Sequence, residues 1–425
     1  MDDYAGAMEP GFHLGRLSRS ALASLGRETM IFGQLNDRAG LPQVGRRFGP
    51  QVMQEVAIDE WMGASPIYTP RMRRSLRFEG DDVATIMKGL QLDVGFAHQY
   101  FDIGYEVESE RRGAFWLNRC GALMDVEPLG EKQVISMCHH MEDPTFDATA
   151  VATNPRARIR PIHRPPRRPA DRAPHCHWVI EIDPEAEPVQ EIELTRRIRR
   201  SRLAATLLER PDDAEPGGWP DYAGPFDPGF QLEDLSHGAL VVACKEFAIQ
   251  AHLLVRAFMT TLADRVGEKA ALEVAQAQWI GSGTVTAGRL APAMGIVGDG
   301  AEAILKVLQL HPAFPPDYTQ LGFELLDESR GRFWVEDCDA LREEGARSWF
   351  ALLDEKPSPA LDAMVQAVNP RARCFPVKPP GRARLAWEVV VEPTVEPAPE
   401  PPEVAIVRFS GASRFEFARR RPLRT

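Results

Sequence analysis

The sequence predicts an α+β protein built as a tandem duplication, each copy a helix-rich domain with a small, mainly antiparallel sheet. Three observations lead there. Short motifs from the first half return in the second half at a fixed shift. Within each half, stretches with apolar residues at three- and four-residue intervals come first, and alternating stretches follow. A polar Pro/Gly/Asp-rich stretch near Pro211 to Pro220 separates the halves and reads as a linker.

The repeat is the firmest element. Asp3-Tyr4-Ala5-Gly6 returns as Asp221-Tyr222-Ala223-Gly224, and Pro10-Gly11-Phe12 as Pro228-Gly229-Phe230, both 218 residues on (221 minus 3, 228 minus 10). The same shift pairs Trp61 with Trp279, Arg71 with Arg289, Gly104 with Gly322, Phe115-Trp116 with Phe333-Trp334 and Cys120 with Cys338. After a three-residue slip, Asn154-Pro155-Arg156-Ala157-Arg158 matches Asn369-Pro370-Arg371-Ala372-Arg373 at a shift of 215 (369 minus 154). The organisation expected is a first repeat over 1–210, a linker over 211–220 and a second repeat over 221–425, with length enough for each domain to have its own core.

Within the first repeat, apolar spacing predicts helices over Leu17 to Leu35, Val52 to Met62 and Val83 to Val94, the last preceded by the acidic pair Asp81-Asp82. Gln99 to Glu108 alternates, and Gly113 to Asn118 resumes after a turn at Arg111-Arg112, so the pair reads as a hairpin. A helix over Glu131 to Met141 follows. Extended Arg156 to Ile162 and His175 to Ile182 close the unit. In the second repeat Gly238 to Ala263 is the most apolar window, but Lys245, Glu246 and Arg256 interrupt it where a bilayer core would not accept them. It reads as a buried helix, and no membrane partner is expected.

A net charge of -11 and a pI near 5.5 argue against a general nucleic-acid binder, which needs a basic surface for the phosphate backbone. Met1 to Pro10 carries no apolar h-region, so a cytoplasmic location is expected. Six cysteines in a long chain of that kind are expected to be reduced rather than joined in a disulfide framework. The basic run Arg156 to Arg172 reads as an exposed loop that offsets the acidic surface, although Arg forks could also receive a carboxylate or phosphate.

Chemistry-bearing residues concentrate in the first repeat, at Cys120, Cys138-His139-His140 and His175-Cys176-His177. Cys and neutral His are the usual donors for zinc and other late transition metals. Cys138, His139, His175, Cys176 and His177 are therefore the candidate ligands of a divalent transition metal, zinc first. Glu142 and Asp143 follow directly and would serve as proton acceptors beside a metal-activated water. The second repeat holds Leu353, Asp354, Arg384, Leu385 and Ala386 where the first holds Cys138, His139, His175, Cys176 and His177, so the group is lost together there. A second reading stays open: Cys138 shares a helical face with Val134, Ile135 and Met141, and Cys176 a strand face with Trp178 and Ile180, as small core residues would.

The order of parts is helices, a hairpin, Cys120 after its second strand, a helix with Cys138 and a last strand with Cys176. It resembles the L-2-amino-thiazoline-4-carboxylic acid hydrolases and, more distantly, the 4-vinyl-reductase-type small-molecule-binding domains. The resemblance covers about half of each copy, and the His175-Cys176-His177 triplet departs from its pattern. It implies cysteines around a pocket and, in some members, bound zinc. Two functions follow as expectations. One is a metal-dependent enzyme hydrolysing a C–N bond of a small organic molecule, its second repeat a non-catalytic pseudo-domain that makes the chain an intramolecular pseudo-dimer, with a homo-oligomer as a further option. The other is a non-catalytic binding protein for an apolar small molecule.

Overall fold

The computed structural model describes residues 1–418 and Leu423; the rest of the second repeat's expected span, 419–422 and 424–425, lies outside the described residues. Ser18 accepts a hydrogen bond from the Ala21 amide and opens α1 (Arg19–Phe48). Gly49, at φ 93°, turns the chain into α2 (Pro50–Ser75), with Pro50 in the first helical position, where its missing N–H costs nothing. Both helices run well past the windows that periodicity predicts and pass through Pro42, Pro66 and Pro70. The reason is burial. Most of α1 is enclosed on all sides, so its apolar residues form no single stripe that could mark its ends.

Asp82 caps α3 (Val83–Gln91) by accepting from the Thr85 amide. The hairpin β1 (Phe101–Ser109) and β2 (Arg112–Cys120) follows as expected, and then α4 (Gly121–Val126). The helix expected over Glu131 to Met141 is longer and interrupted: α5 (Glu131–Ile135) runs into a π-helical turn (Ser136–Met141), and α6 (Glu142–Val151) continues from it. β3 (Ala157–His163) and β4 (Cys176–Ile182) complete an antiparallel sheet of order β1-β2-β4-β3, followed by the short α7 (Glu193–Arg199) and α8 (Arg202–Ala205).

The second copy repeats the plan with α9 (His237–Val266), α10 (Glu268–Ala293), α11 (Ala301–Leu310), β5 (Leu321–Leu325), β6 (Arg330–Val335), α12 (Pro359–Gln366), β7 (Ala372–Pro376), β8 (Leu385–Val391) and α13 (Pro402–Val407). Its sheet order, β5-β6-β8-β7, is the same. The fold is α+β in two copies. Even the register is kept: Gly104 faces Trp116, and Gly322 faces Trp334. A Cβ on either glycine would lie 2.3 or 2.2 Å from the indole, so both tryptophans lie flat across a position only glycine can fill.

The copies do not keep separate cores. α1 packs on α9 and α10, α2 packs on α9, and one continuous apolar core runs through both halves. α9 is the one described helix long and apolar enough to cross a membrane, and 94% of its apolar window is buried inside this core.

Exchange of contacts follows a two-fold pattern. Arg71 forks onto Glu246 across the interface at 3.1 and 3.2 Å, and the equivalent Arg289 forks onto Glu28 at 2.8 and 3.0 Å. The Tyr4 hydroxyl donates to Gln309 on α11, while the Tyr222 hydroxyl donates to Gln91 on α3. Each copy's N-terminal segment is thus pinned to the other copy's third helix. The expected separate cores are merged because the long helices bury most of their sides on one another, their polar residues included, and several of those find partners across the interface.

Candidate functional site

In the first copy, α1 and α2 diverge from α5, the π-helical turn and α6, and enclose a cavity of about 750 Å³. Its walls are mostly apolar: Trp61, Phe96, Phe101, Phe146, Leu117 and Met137 contribute. The exposed residues Pro50, Gln51, Leu129, Lys132, Gln133 and His140 mark its mouth. Phe409, from the segment after α13, closes one side, so the second copy helps to build the first copy's cavity.

The wall that carries Cys138-His139-His140 is the π-helical turn. Its extra residue per turn widens the helix beside the cavity, a distortion frequent at functional sites. Ser136, Met137, His140 and Met141 of this turn line the cavity, whereas the Cys138 side chain is turned into the core.

The polar groups fall into two sets, separated by comparison with the second copy. The first set is duplicated. Arg38 Nε donates to Asp125 at 3.1 Å, and Tyr100 donates to the same carboxylate at 2.8 Å. Asp125 also receives Ser410 Oγ and the Gly411 amide. In the second copy Arg256 pairs with Glu343 at 3.4 Å, Tyr318 donates to it at 3.1 Å, and the Arg202 and Leu203 amides complete it. Each knot ties down the segment that follows the other copy's last strand. It is a fastening device common to both copies.

The second set belongs to the first copy alone. Asp37 lines the cavity, accepts from the Trp61 indole at 3.3 Å and lies 3.9 Å from Arg38. Behind it sits Glu60, wholly buried, with Asp37 as the neighbour of its carboxyl. Burial, and then the Asp37 charge, hold Glu60 well above the usual carboxylate range, so it keeps its proton and shares it with Asp37. Burial also raises Asp37, against the opposing pull of Arg38 and Trp61. Asp93 accepts from Tyr68 at 3.0 and 3.1 Å and from the Gly95 amide at 2.7 Å, and burial lifts it to about 6. Glu142 is pushed up to about 8 by burial, with Arg164 opposing and Asp143 adding, and its Oε2 has no partner among the described residues.

At the shift of 218 the second copy has Val255 for Asp37, Gln278 for Glu60, His311 for Asp93 and His252 for Gln34. The inner part of its corresponding space is filled, and what remains at the equivalent of the mouth is an open depression of about 540 Å³ lined by Glu268, Lys269, Leu272 and Leu352. Trp349 stacks on Trp279 at 5.4 Å with an interplanar angle of 4°, meets His252 edge-on, and donates its indole N–H to Gln278. Phe350 packs on His252 and Phe314. These neighbours are the counterparts of Trp61, Gln34, Glu60 and Phe96. Where the first copy has a helix with a wide turn, the second has a 3-10 turn (Trp349–Leu352) that drives two aromatic rings inward.

The residues singled out from sequence are distributed around this cavity rather than gathered at one point. His139 meets the Pro165 carbonyl at 2.6 Å. His175 accepts at Nδ1 from the Cys120 amide and lies 3.4 Å from Arg167. His177 sits on the opposite face of the sheet, edge-on to Trp116 and His163. Cys138 and Cys176 are buried in the core, and burial raises both thiols far above their ordinary range. Among the described residues no three His, Cys, Asp or Glu side chains converge as a metal site. All six cysteines are free and buried.

Glu142 does line the cavity, whereas Asp143 turns outward to Arg164. The basic run folds back onto acidic residues: Arg160 onto Asp147, Arg164 onto Asp143, Arg167 onto Glu127 and Arg168 onto Glu131. Four of its seven arginines are thus paired within the chain. Compared with known proteins, the chain matches no family model, no curated protein and no solved structure. What the fold and site define is an intramolecular pseudo-dimer with one open and one filled interior.

Proposed function

We propose that the first copy binds an apolar small organic molecule in this cavity and that the second copy is its scaffold. One observation carries the reading: the same place in two equivalent folds is open in one copy and stoppered by Trp349 and Phe350 in the other. Close packing is the default for protein interiors, and the second copy shows how this fold achieves it. The volume and the apolar walls with few polar groups suit a ligand of ordinary metabolite size.

The metal-dependent hydrolysis of a C–N bond draws less support. His139, His175 and His177 have different partners in different surroundings, and Cys138 and Cys176 are packed as core residues. Titration with a neutral naphthylamine dye whose fluorescence rises in apolar sites tests the binding reading. One dye per chain is expected, and Ala57→Trp, which places an indole in the cavity, is expected to abolish it. Dye binding unchanged in Ala57→Trp would refute the proposal.

A further inference from the structure

Resting on the cavity reading, we propose that the ligand carries a positively charged nitrogen, an ammonium or amidinium head on an apolar body, seated against Asp37.

The basic residues on the cavity wall are Arg38, Lys132 and His140. Arg38 is committed to the Asp125 knot, and its counterpart Arg256 makes the same knot where there is no cavity, so it is not kept as an anion receptor. Lys132 and His140 are exposed at the mouth. The interior is acidic. Asp37, 6% exposed, lies on the cavity wall with the Glu60 carboxyl hydrogen-bonded to it and Arg38 no nearer than 3.9 Å, and Glu142 contributes a further carboxyl to the same wall. A desolvated carboxylate is costly, and a positively charged nitrogen beside it offsets that cost through its charge, with or without an N–H to donate. Trp61, Phe96, Phe101 and Phe146 offer ring faces that attract a cation and bury its apolar body.

The second copy again acts as the control. When the space is filled, Asp37 becomes Val255 and Glu60 becomes Gln278. An acidic pair needed for folding would have been retained with the helices that carry it, as Arg71, Arg289 and their glutamates are. Instead the carboxyls and the cavity are absent together. Glu60 keeps its proton beside Asp37, and a cation seated against the pair lets it move toward full ionisation. The acidic pair is therefore a receptor for charge rather than a fixed ion pair.

The test is calorimetric titration of the whole chain with phenylbutyl-trimethylammonium, with its neutral isostere in which carbon replaces nitrogen, and with the matching neutral alcohol. The ammonium is expected to bind about tenfold more tightly than either, a 1.4 kcal/mol difference. Asp37→Asn should bring the ammonium down to the isostere's affinity and leave the isostere unchanged. Asp37→Val, the second copy's residue at that place, substitutes if the amide variant does not fold. Equal or tighter binding of the isostere or the alcohol, or equal losses for all three in Asp37→Asn, overturns the charge assignment while leaving the cavity reading intact. If none of the three binds, the cavity reading falls and this inference falls with it.

Discussion

The two copies differ most where their folds are most alike. Both are built on a pair of long helices turned at a glycine, Gly49 at φ 93° and Gly267 at φ 90°, and both tie down the other's trailing segment with an Arg, an acid and a Tyr. Between those shared parts one copy has Trp349 and Phe350 in its interior, and the other has space edged by Asp37, Asp93 and Glu142. The comparison teaches which polar groups serve the fold. Those present twice are fasteners, and those present once surround the cavity.

The sharpest way to break this comparison is to reverse each interior. Trp349→Ala removes a fully buried ring stacked on Trp279, and a loss of about 3–5 kcal/mol is expected from urea unfolding. Ala57→Trp adds a larger side chain to the first copy, yet a change within about 1 kcal/mol is expected, because the indole enters existing space. A loss for Ala57→Trp as large as that for Trp349→Ala would mean that the first copy has no room to fill.

The fasteners should respond equally in both copies. Arg71→Met and Arg289→Met each strand a buried glutamate, Glu246 or Glu28, and each is expected to lose about 3 kcal/mol. The same urea experiment reads both. Losses that differ severalfold would show that the two-fold exchange is not energetically symmetric.

The acidity of the two interiors supplies an opposite pair of effects, each at most comparable with those of the fasteners. Asp93, lifted by burial to about 6, binds its proton more tightly folded than unfolded, so its contribution is full below about 4 and is lost as pH rises through about 6. His311 occupies the equivalent position and is lowered by burial to about 4. The unfolded chain then binds the extra proton, so this contribution is full above about 6.5 and is lost as pH falls through about 4. Each term is worth up to roughly 3 kcal/mol, two units or slightly more at 1.36 kcal/mol per unit. Asp93→Asn should steepen the rise of the urea midpoint with pH between about 4 and 6, and His311→Gln should flatten it. Identical pH profiles in the two variants would contradict the contrast.

Much of the fold was legible because the repeat is a comparison written into one chain. The first repeat's hairpin, its two closing strands and the start of the helix capped by Asp82 fall where spacing places them, since a half-buried strand or helix shows its period. The ends of α1 and α2 did not show, because polar residues such as Arg27, Glu28, Asn36 and Glu60 are buried among the apolar ones and no single stripe repeats. The site was half legible. Collective loss in the second copy drew attention to Cys138 and His139, and the π-helical turn that bears them does border the cavity. Asp37, Glu60 and Asp93 escaped notice because they lie in three separate stretches, with no spacing to join them. The shift of 218, applied to acids as well as to Cys and His, sets them against Val255, Gln278 and His311 and would have found them.

The most direct measurement is diffraction from crystals pressurised with xenon, which settles in apolar cavities. Xenon density is expected beside Trp61 in the first copy and not beside Trp279 in the second. Equal occupancy in the two copies, or density at Trp279 alone, would contradict the account of one open and one filled interior.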